Sequence, residues 1–513
     1  MRKNNSIKNA IVSVLLNVLT IIFGFITQKI FAMNLGKEYL GINGLFNNIL
    51  SMLAIVELGF GSAIVYNLYK PIAEKDEEKI CSLMSFYKIT YRVISIIIVF
   101  IGICLLPFIK KIVGNVNVNS NLQFLFLLAL LDVVASYLLT YKRSILYADQ
   151  KNYITNFIHI GYVILLNLCE IIFLYITKNY IIYLIIKILF RLIENIVITL
   201  IANKKYPYIK YKKANQLDYE TKSDIFKKVK GLLFHKIGGS IVLGTDNILI
   251  SKLFGVIVVG YYSNYYLIIN AVNNLLGQVF DSLTASIGNL LIENDRKKSY
   301  FIYKAMLLMN SWLYCFTGIC ILCLMEPFIK IWMGEEYILS TSVLIVLVLN
   351  YYIQGMKKTN ARFKEAAGIF YEDRYVPLAE AFINIIASIV FAKIFGLIGI
   401  FIGTIVSSMV LFLYSYPKFV YKKLFKRSYF QYYIEHLKYL AISIFSAITS
   451  FIIVSNISIN NLYVTLIINL FVCIIIPNLI YILNYRKTNE LKYIKDMLIE
   501  FMLNRFKKKS KIK

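Results

Sequence analysis

Charge is scarce in this 513-residue chain, where only 16% of residues are Asp, Glu, Lys or Arg. A soluble protein of that size needs far more charged surface, which excludes a water-soluble enzyme or carrier. Seven prolines and 24 glycines are too few for a disordered or collagen-like chain. The seven cysteines are scattered, mostly within apolar stretches, so no disulfide framework is indicated. Cys320 and Cys323 form a CxxC, but no Cys or His pair stands near them to complete a metal site. Small residues packing in a helix account for that pair. No stretch is left over that would fold as a soluble catalytic domain.

What abounds is apolar sequence, at 59% of the chain. Segments of about 20 residues, the length that crosses a bilayer core, recur from end to end. The expectation is an all-α polytopic membrane protein with 14 transmembrane helices. These lie at about 10–33, 42–66, 86–109, 122–141, 154–177, 180–202, 231–252, 261–291, 303–329, 338–356, 375–394, 397–419, 437–456 and 461–484. The first is too long for a signal-peptide core and has no small-x-small cleavage site after it, so it reads as a retained helix.

The net charge of +28 is distributed in a way that sets topology. Lys and Arg crowd alternate loops: KPIAEKDEEK, YKRSILYADQK, ENDRKK, KKTNARFKEAAGIFYEDR, YKKLFKR and the tail RFKKKSKIK. The intervening loops, such as VNVNSN, TKNY and IFGL, are short and poor in lysine. Positive charge is retained on the cytoplasmic side, so both termini are expected in the cytoplasm. Lysines spread over every cytoplasmic loop argue against nucleic acid and for contact with anionic membrane lipids.

The stretch Gly244 to Tyr266, GTDNILISKLFGVIVVGYYSNYY, has an upstream echo in LGKEYLG. Gly36 and Gly41 precede Gly255 and Gly260 by the same 219 residues. The same spacing links Glu74 to Glu293, Asp76 to Asp295, Lys79 to Lys298, Thr140 to Thr359, Arg143 to Arg362 and Ala148 to Ala367. The implied plan is an N-terminal lobe at 1–202 and a basic cytoplasmic linker at 203–230. A C-terminal lobe at 231–419 and two appended helices with a basic tail at 420–513 complete it. Parallel repeats of six spans place a substrate path between the lobes.

Ionisable groups in hydrocarbon are costly and face a cavity or a partner. Lys187, Arg191 and Glu194, at i, i+4 and i+7, share one face of the sixth span. Arg191 and Glu194 would either pair along the helix or face a cavity. Glu57, Asp132, Asp246 and Asp281 lie deep, which assigns them a cavity or inter-helix role. Lys29, Arg92, His235 and Lys236 lie near helix ends, where snorkelling accounts for them. His159, Glu170 and Glu326 are further polar residues inside spans. Asn270, Asn273, Asn274, Gln278, Asp281 and Ser282 form a polar stripe in the eighth span that would line water or substrate, because amides in lipid stay unsatisfied.

Three stretches resemble polysaccharide flippases of the multidrug/oligosaccharidyl-lipid/polysaccharide exporter superfamily: TDNILISKLFG with VVGYYSNYYLIINAVNNLLGQVFDSLTASIGN, VELGFGSAIVYNLYKPIAEKD, and RFKEAAGIFYEDRYVPLAEAFINIIASI. The plan of two six-helix lobes plus two helices likewise resembles a MATE-like exporter fold. The resemblance implies a non-enzymatic flippase for undecaprenyl-pyrophosphate-linked glycan, working by alternating access in the bacterial cytoplasmic membrane. It implies glycosyltransferases or a polysaccharide polymerase as partners, and no cofactor beyond a coupling H+ or Na+.

A pyrophosphate needs cations in an otherwise apolar cavity. Lys187 and Arg191 are the first candidates, then Lys29 and Arg92, with Asn270, Asn274 and Gln278 on the cavity wall. Asp246 and Asp281, with Glu57, Asp132 and Glu194, are the candidates for ion coupling or helix pairing. These assignments rest on intramembrane charge, not on a motif. The alternatives are a lipid II flippase and a cation-coupled multidrug exporter, which would need a net acidic cavity. A glycan polymerase would need a long outer loop, and the outer loops here are short.

Overall fold

The computed structural model describes residues 2–57, 60–118, 120–211, 215–293, 295–369, 372–457 and 461–510, and the regular elements among them are all helices. They form two compact units, Met1–Leu267 and Ile268–Lys513. The side chains of His235 and Lys236 lie outside the described residues, as do residues 212–214 of the expected linker and 511–513 of the tail.

The first unit contains α1 (Arg2–Leu53), α2 (Phe60–Glu74), α3 (Glu77–Val113), α4 (Leu122–Leu138), α5 (Tyr141–Ala148), α6 (Asn152–Thr177), α7 (Tyr180–Lys205), the single turn α8 (Tyr208–Tyr211) and α9 (Tyr219–Phe254). Helix starts are written in side chains. Asp76, Asn121, Asn179 and Asp218 each accept a hydrogen bond from a backbone N–H one turn in, which satisfies a donor the helix cannot. α6 packs against α1 and α7, α4 against α3 and α7, and α9 against α1.

The second unit begins within α10 (Val256–Ile292) and continues through α11 (Arg296–Trp332), α12 (Thr341–Ala366), α13 (Val376–Phe395) and α14 (Leu397–Val410). π-helical turns extend α14 to Leu424; α15 (Tyr429–Ser455), α16 (Leu462–Tyr485) and α17 (Asn489–Ser510) follow. α13 and α14 pack along their length, and α11 is the hub for α12, α15, α16 and α17.

Helix bounds recur at the sequence interval. α3, Glu77–Val113, stands 219 residues before α11, Arg296–Trp332, and the start of α4 stands as far before that of α12. Gly36 (φ 85°) breaks α1 and Gly255 (φ 91°) divides α9 from α10. Both need the left-handed region that only glycine enters freely. The other breaks match within a residue: Gly114 with Gly334, Gln150 with Gly368, and Lys178 with Gly396, all at positive φ.

Ten helices among the described residues are long and apolar enough to cross a membrane, and α4 with α5, bent by 45°, would make an eleventh. That is fewer than the 14 expected. Part of the difference lies in α1, whose apolar length Ile11–Leu53 runs through Gly36 and takes in the expected first span and part of the second. Another part lies in α7, where Lys187, Arg191 and Glu194 interrupt the apolar run. Two stretches expected as cytoplasmic loops are largely helical: YKRSILYA is α5, and α12 continues through KKTNARFKEA. Basic residues there pack their stems inside, as Lys142 and Lys364 do. The expected linker is likewise partly helix, since α9 starts at Tyr219, capped by Asp218.

Candidate functional site

α7 begins at the Asn179 cap and carries Lys187, Arg191 and Glu194 on one face, against α4 and α6. Asn195 fixes the level of contact, its amide donating to the Ala135 carbonyl of α4 at 2.7 Å. Asp132 of α4 therefore meets the α7 cations. Its Oδ2 lies 3.5 Å from Lys187 Nζ and its Oδ1 accepts from Arg191 Nε at 3.4 Å. Arg191 also reaches Glu194 Oε2 at 3.5 Å, and its guanidinium stacks 4.8 Å from the Tyr162 ring centroid.

Glu194 is held differently. Its Oε1 lies 2.9 Å from Arg143 Nη2 and 2.8 Å from His159 Nδ1. Arg143 comes from α5 and also donates to Asn195 Oδ1 at 3.1 Å. Glu194 Oε2 and Arg143 Nε are buried without a hydrogen bond among the described residues. Three fixed cations thus share one polar centre with Asp132 and Glu194. Buried Glu170 of α6 lies within electrostatic reach of Lys187, Asp132 and Arg191. Around them the bundle is apolar, built on Tyr162, Val163, Leu166 and Ile186.

The remaining candidates in the first unit lie on α1, the turn that follows it, α3 and α9. Lys29 is half-buried on α1, and Arg92 is exposed on α3. Glu57 accepts the Tyr91 hydroxyl at 3.1 Å. Asp246 is buried on α9, within electrostatic reach of Tyr262 and Tyr266.

In the second unit, Asn274, Gln278, Asp281 and Ser282 are exposed on α10, beside exposed Leu275 and Val279. Asn270 and Asn273 are half-buried, and Asn273 accepts the Tyr314 hydroxyl at 3.0 Å. Asp281 is paired with Arg362 at 2.5 Å. A second buried centre lies here that the sequence alone does not single out. Lys357 donates to Glu380 at 2.6 Å and to Ser408 at 2.9 Å. Close by, Lys364 pairs with Asp373, whose carboxylate also accepts from Ser415 at 3.0 Å. The available signal was Lys357 standing one residue past an expected span. Arg143 was equally within reach, through its repeat partner Arg362. Among the described residues no group of His, Cys, Asp and Glu would hold a metal ion.

A helical bundle of apolar spans with ion-paired charges inside it defines an integral membrane protein, and its fold is one shared by solved transporters. A lipid II flippase, MurJ, in an inward closed conformation is similar over 94% of this chain and 99% of its own, at TM-score 0.64 and 17% identity. An inward-facing multidrug resistance MATE family transporter of the MOP superfamily matches 78% of this chain and 95% of its own, at TM-score 0.58 and 16% identity. A Vibrio cholerae MATE transporter, a VcmN mutant, matches 81% and 97%, at TM-score 0.55 and 13% identity. Residues 6–284 match the family described as polysaccharide biosynthesis protein, and the chain belongs to that family. No curated protein matches it in sequence.

Proposed function

We propose that this chain is a flippase that moves undecaprenyl-pyrophosphate-linked oligosaccharide repeat units from the inner to the outer leaflet of the bacterial cytoplasmic membrane, by alternating access. The observation that carries the reading is the pair Lys187 and Arg191. Both sit inside an apolar bundle, yet keep 23% and 21% of their side chains exposed. A diphosphate crossing hydrocarbon needs such cations, and a planar guanidinium beside an ammonium suits adjacent phosphate oxygens. Family membership supports a role in building surface polysaccharide. In this reading the exposed amides Asn274 and Gln278, with Asn270, contact sugars, while Lys29 and Arg92 guide the head group. Both termini face the cytoplasm, and glycosyltransferases and a polymerase act before and after it.

In a strain lacking this protein, lipid-linked oligosaccharide should accumulate on the cytoplasmic side. Lys187→Ala and Arg191→Ala should fail to relieve that accumulation while reaching the membrane in normal amount. Full complementation by both would sink the pyrophosphate site. Lipid II is the competing cargo, favoured by the extent of the likeness to MurJ. Rescue of a strain depleted of its lipid II flippase, with no effect on polysaccharide, would select it. Buried Asp246 is proposed to carry the coupling H+ or Na+. Asp246→Asn should then lower transport and change its dependence on that ion, whereas unchanged dependence would make Asp246 structural.

A further inference from the structure

We infer that Asp132 is an exchangeable counter-anion, occupying Lys187 and Arg191 until the substrate's pyrophosphate displaces it. This rests on the proposed function and assigns a role to a residue that need not touch the substrate when it is bound.

Three observations carry it. The first is a contrast of distances within one cluster. Charge-assisted contacts settle at about 2.7–2.9 Å where geometry is good. Glu194 reaches that range with both Arg143 and His159. Asp132 does not: it sits between Lys187 at 3.5 Å and Arg191 at 3.4 Å, satisfying neither closely. Arg191 is no better held by Glu194, at 3.5 Å.

The second is the pair that the other unit uses as a lock. Lys357 and Glu380 meet at 2.6 Å, Ser408 adds a contact to Lys357 at 2.9 Å, and neither side chain exceeds 12% exposure. The same chain therefore builds tight buried ion pairs where it needs a fixed one. Asp132 with Lys187 and Arg191 has the cations more open and the contacts longer.

The third is the repeat. At 219 residues Asp132 corresponds to Tyr351, and at the interval of 218 that Lys178 and Gly396 set for the following helix, Lys187 and Arg191 correspond to Ile405 and Met409. Packing of the repeated helices therefore does not require charge at these positions. A diphosphate brings more charge and more acceptor oxygens than one carboxylate, and it can engage ammonium and guanidinium together. Exchange of anions lets the cations stay compensated at every stage. A bare buried cation pair would be costly when empty and would hold its cargo too firmly when full.

The test uses the full-length protein in lipid nanodiscs with undecaprenyl pyrophosphate as the probe and undecaprenol as the control. Asp132→Asn should bind undecaprenyl pyrophosphate about ten-fold more tightly, a shift of about 1.4 kcal/mol. It should leave undecaprenol binding unchanged and slow the transport cycle. Unchanged or weaker binding of the diphosphate by folded Asp132→Asn would overturn the exchange. Should that variant not fold, Asp132→Glu decides: its longer carboxylate reaches the cations more closely, so diphosphate binding should weaken, and tighter or equal binding refutes the idea. Lys187→Ala separates the two levels. If it leaves diphosphate binding intact, the site itself is wrong. If it weakens binding while Asp132→Asn changes nothing, only the exchange is wrong.

Discussion

Gly41 and Gly260 lie against one another, each facing the other's helix backbone. A Cβ on Gly41 would stand 1.9 Å from the Val256 carbonyl oxygen, and one on Gly260 would stand 3.1 Å from the Lys37 carbonyl oxygen and the Gly41 nitrogen. Residue 256 is 219 beyond residue 37, and residue 260 is 219 beyond residue 41, so the contact maps onto itself under the repeat. Both glycines follow a break at positive φ, Gly36 and Gly255. Absence of a side chain at these places lets two helix starts cross at backbone distance.

Gly41→Ala should therefore be the more damaging of the two alanine substitutions. Its methyl meets backbone atoms that cannot turn aside, and overpacking of that kind costs about 1–3 kcal/mol. Gly260→Ala needs only a few tenths of an ångström of movement. Thermal unfolding of the detergent-solubilised variants checks the order; an equal or reversed effect would contradict this crossing.

Arg143 and Arg362 are repeat partners with unequal duties. The Glu194 side chain beside Arg143 is fully buried, whereas Asp281 beside Arg362 is 55% exposed. Removing Arg143 takes the nearest guanidinium from a buried carboxylate that keeps His159 at 2.8 Å and Arg191 at 3.5 Å, so the loss should lie at the lower end of about 3–5 kcal/mol. Arg362→Ala should cost far less, because water can solvate Asp281. Arg143→Ala combined with Glu194→Gln should recover much of the loss, so stability measured around that double-mutant cycle should show strong coupling. Additive effects would mean the pair is not a unit.

These pairings also mark where the sequence is informative. Helix length, membrane class and the repeat interval are legible because apolar runs and glycine breaks are local properties of the chain. The i, i+4, i+7 placement of Lys187, Arg191 and Glu194 is legible for the same reason. Their partners are not. Asp132 lies 55 residues before Lys187, and only packing of α4 on α7 brings the two together. Lys357 and Arg143 stand in stretches that resemble loops in sequence, because a lysine-rich stretch looks alike whether it is solvated or helical. The change to π-helical turns after Val410 is not legible, because hydropathy carries the expected span 397–419 straight through it.

Asp218 caps α9, and Lys79 of α3 donates to its carboxylate; Thr221 adds its backbone N–H at 2.8 Å. The Lys79 hydrogen bond, followed by those from Thr221, holds the carboxyl well below the ordinary carboxylate range. A depressed folded value means the contribution to stability is complete above about pH 4, the unfolded value for Asp, and is lost as pH falls toward the folded one. Asp218→Asn should lower the unfolding temperature at neutral pH and flatten the acid limb of the stability curve. An acid limb identical to that of the parent protein would show that the cap does not report on folding.

The Lys357–Glu380 pair offers the sharpest contrast with the proposed binding site. Its contacts are short and its side chains buried, so Lys357→Ala should destabilise strongly by leaving Glu380 uncompensated. Replacing both partners at once, as Lys357→Met with Glu380→Leu, should be close to neutral, because a well-packed apolar substitute does as well as a desolvated pair. Transport by that double variant should persist, since its only assigned task is to join α12 to α13 beside Ser408 of α14. Loss of transport with unfolding temperature unchanged would instead place this pair on the substrate or ion path, and the second unit would then carry a functional charge of its own.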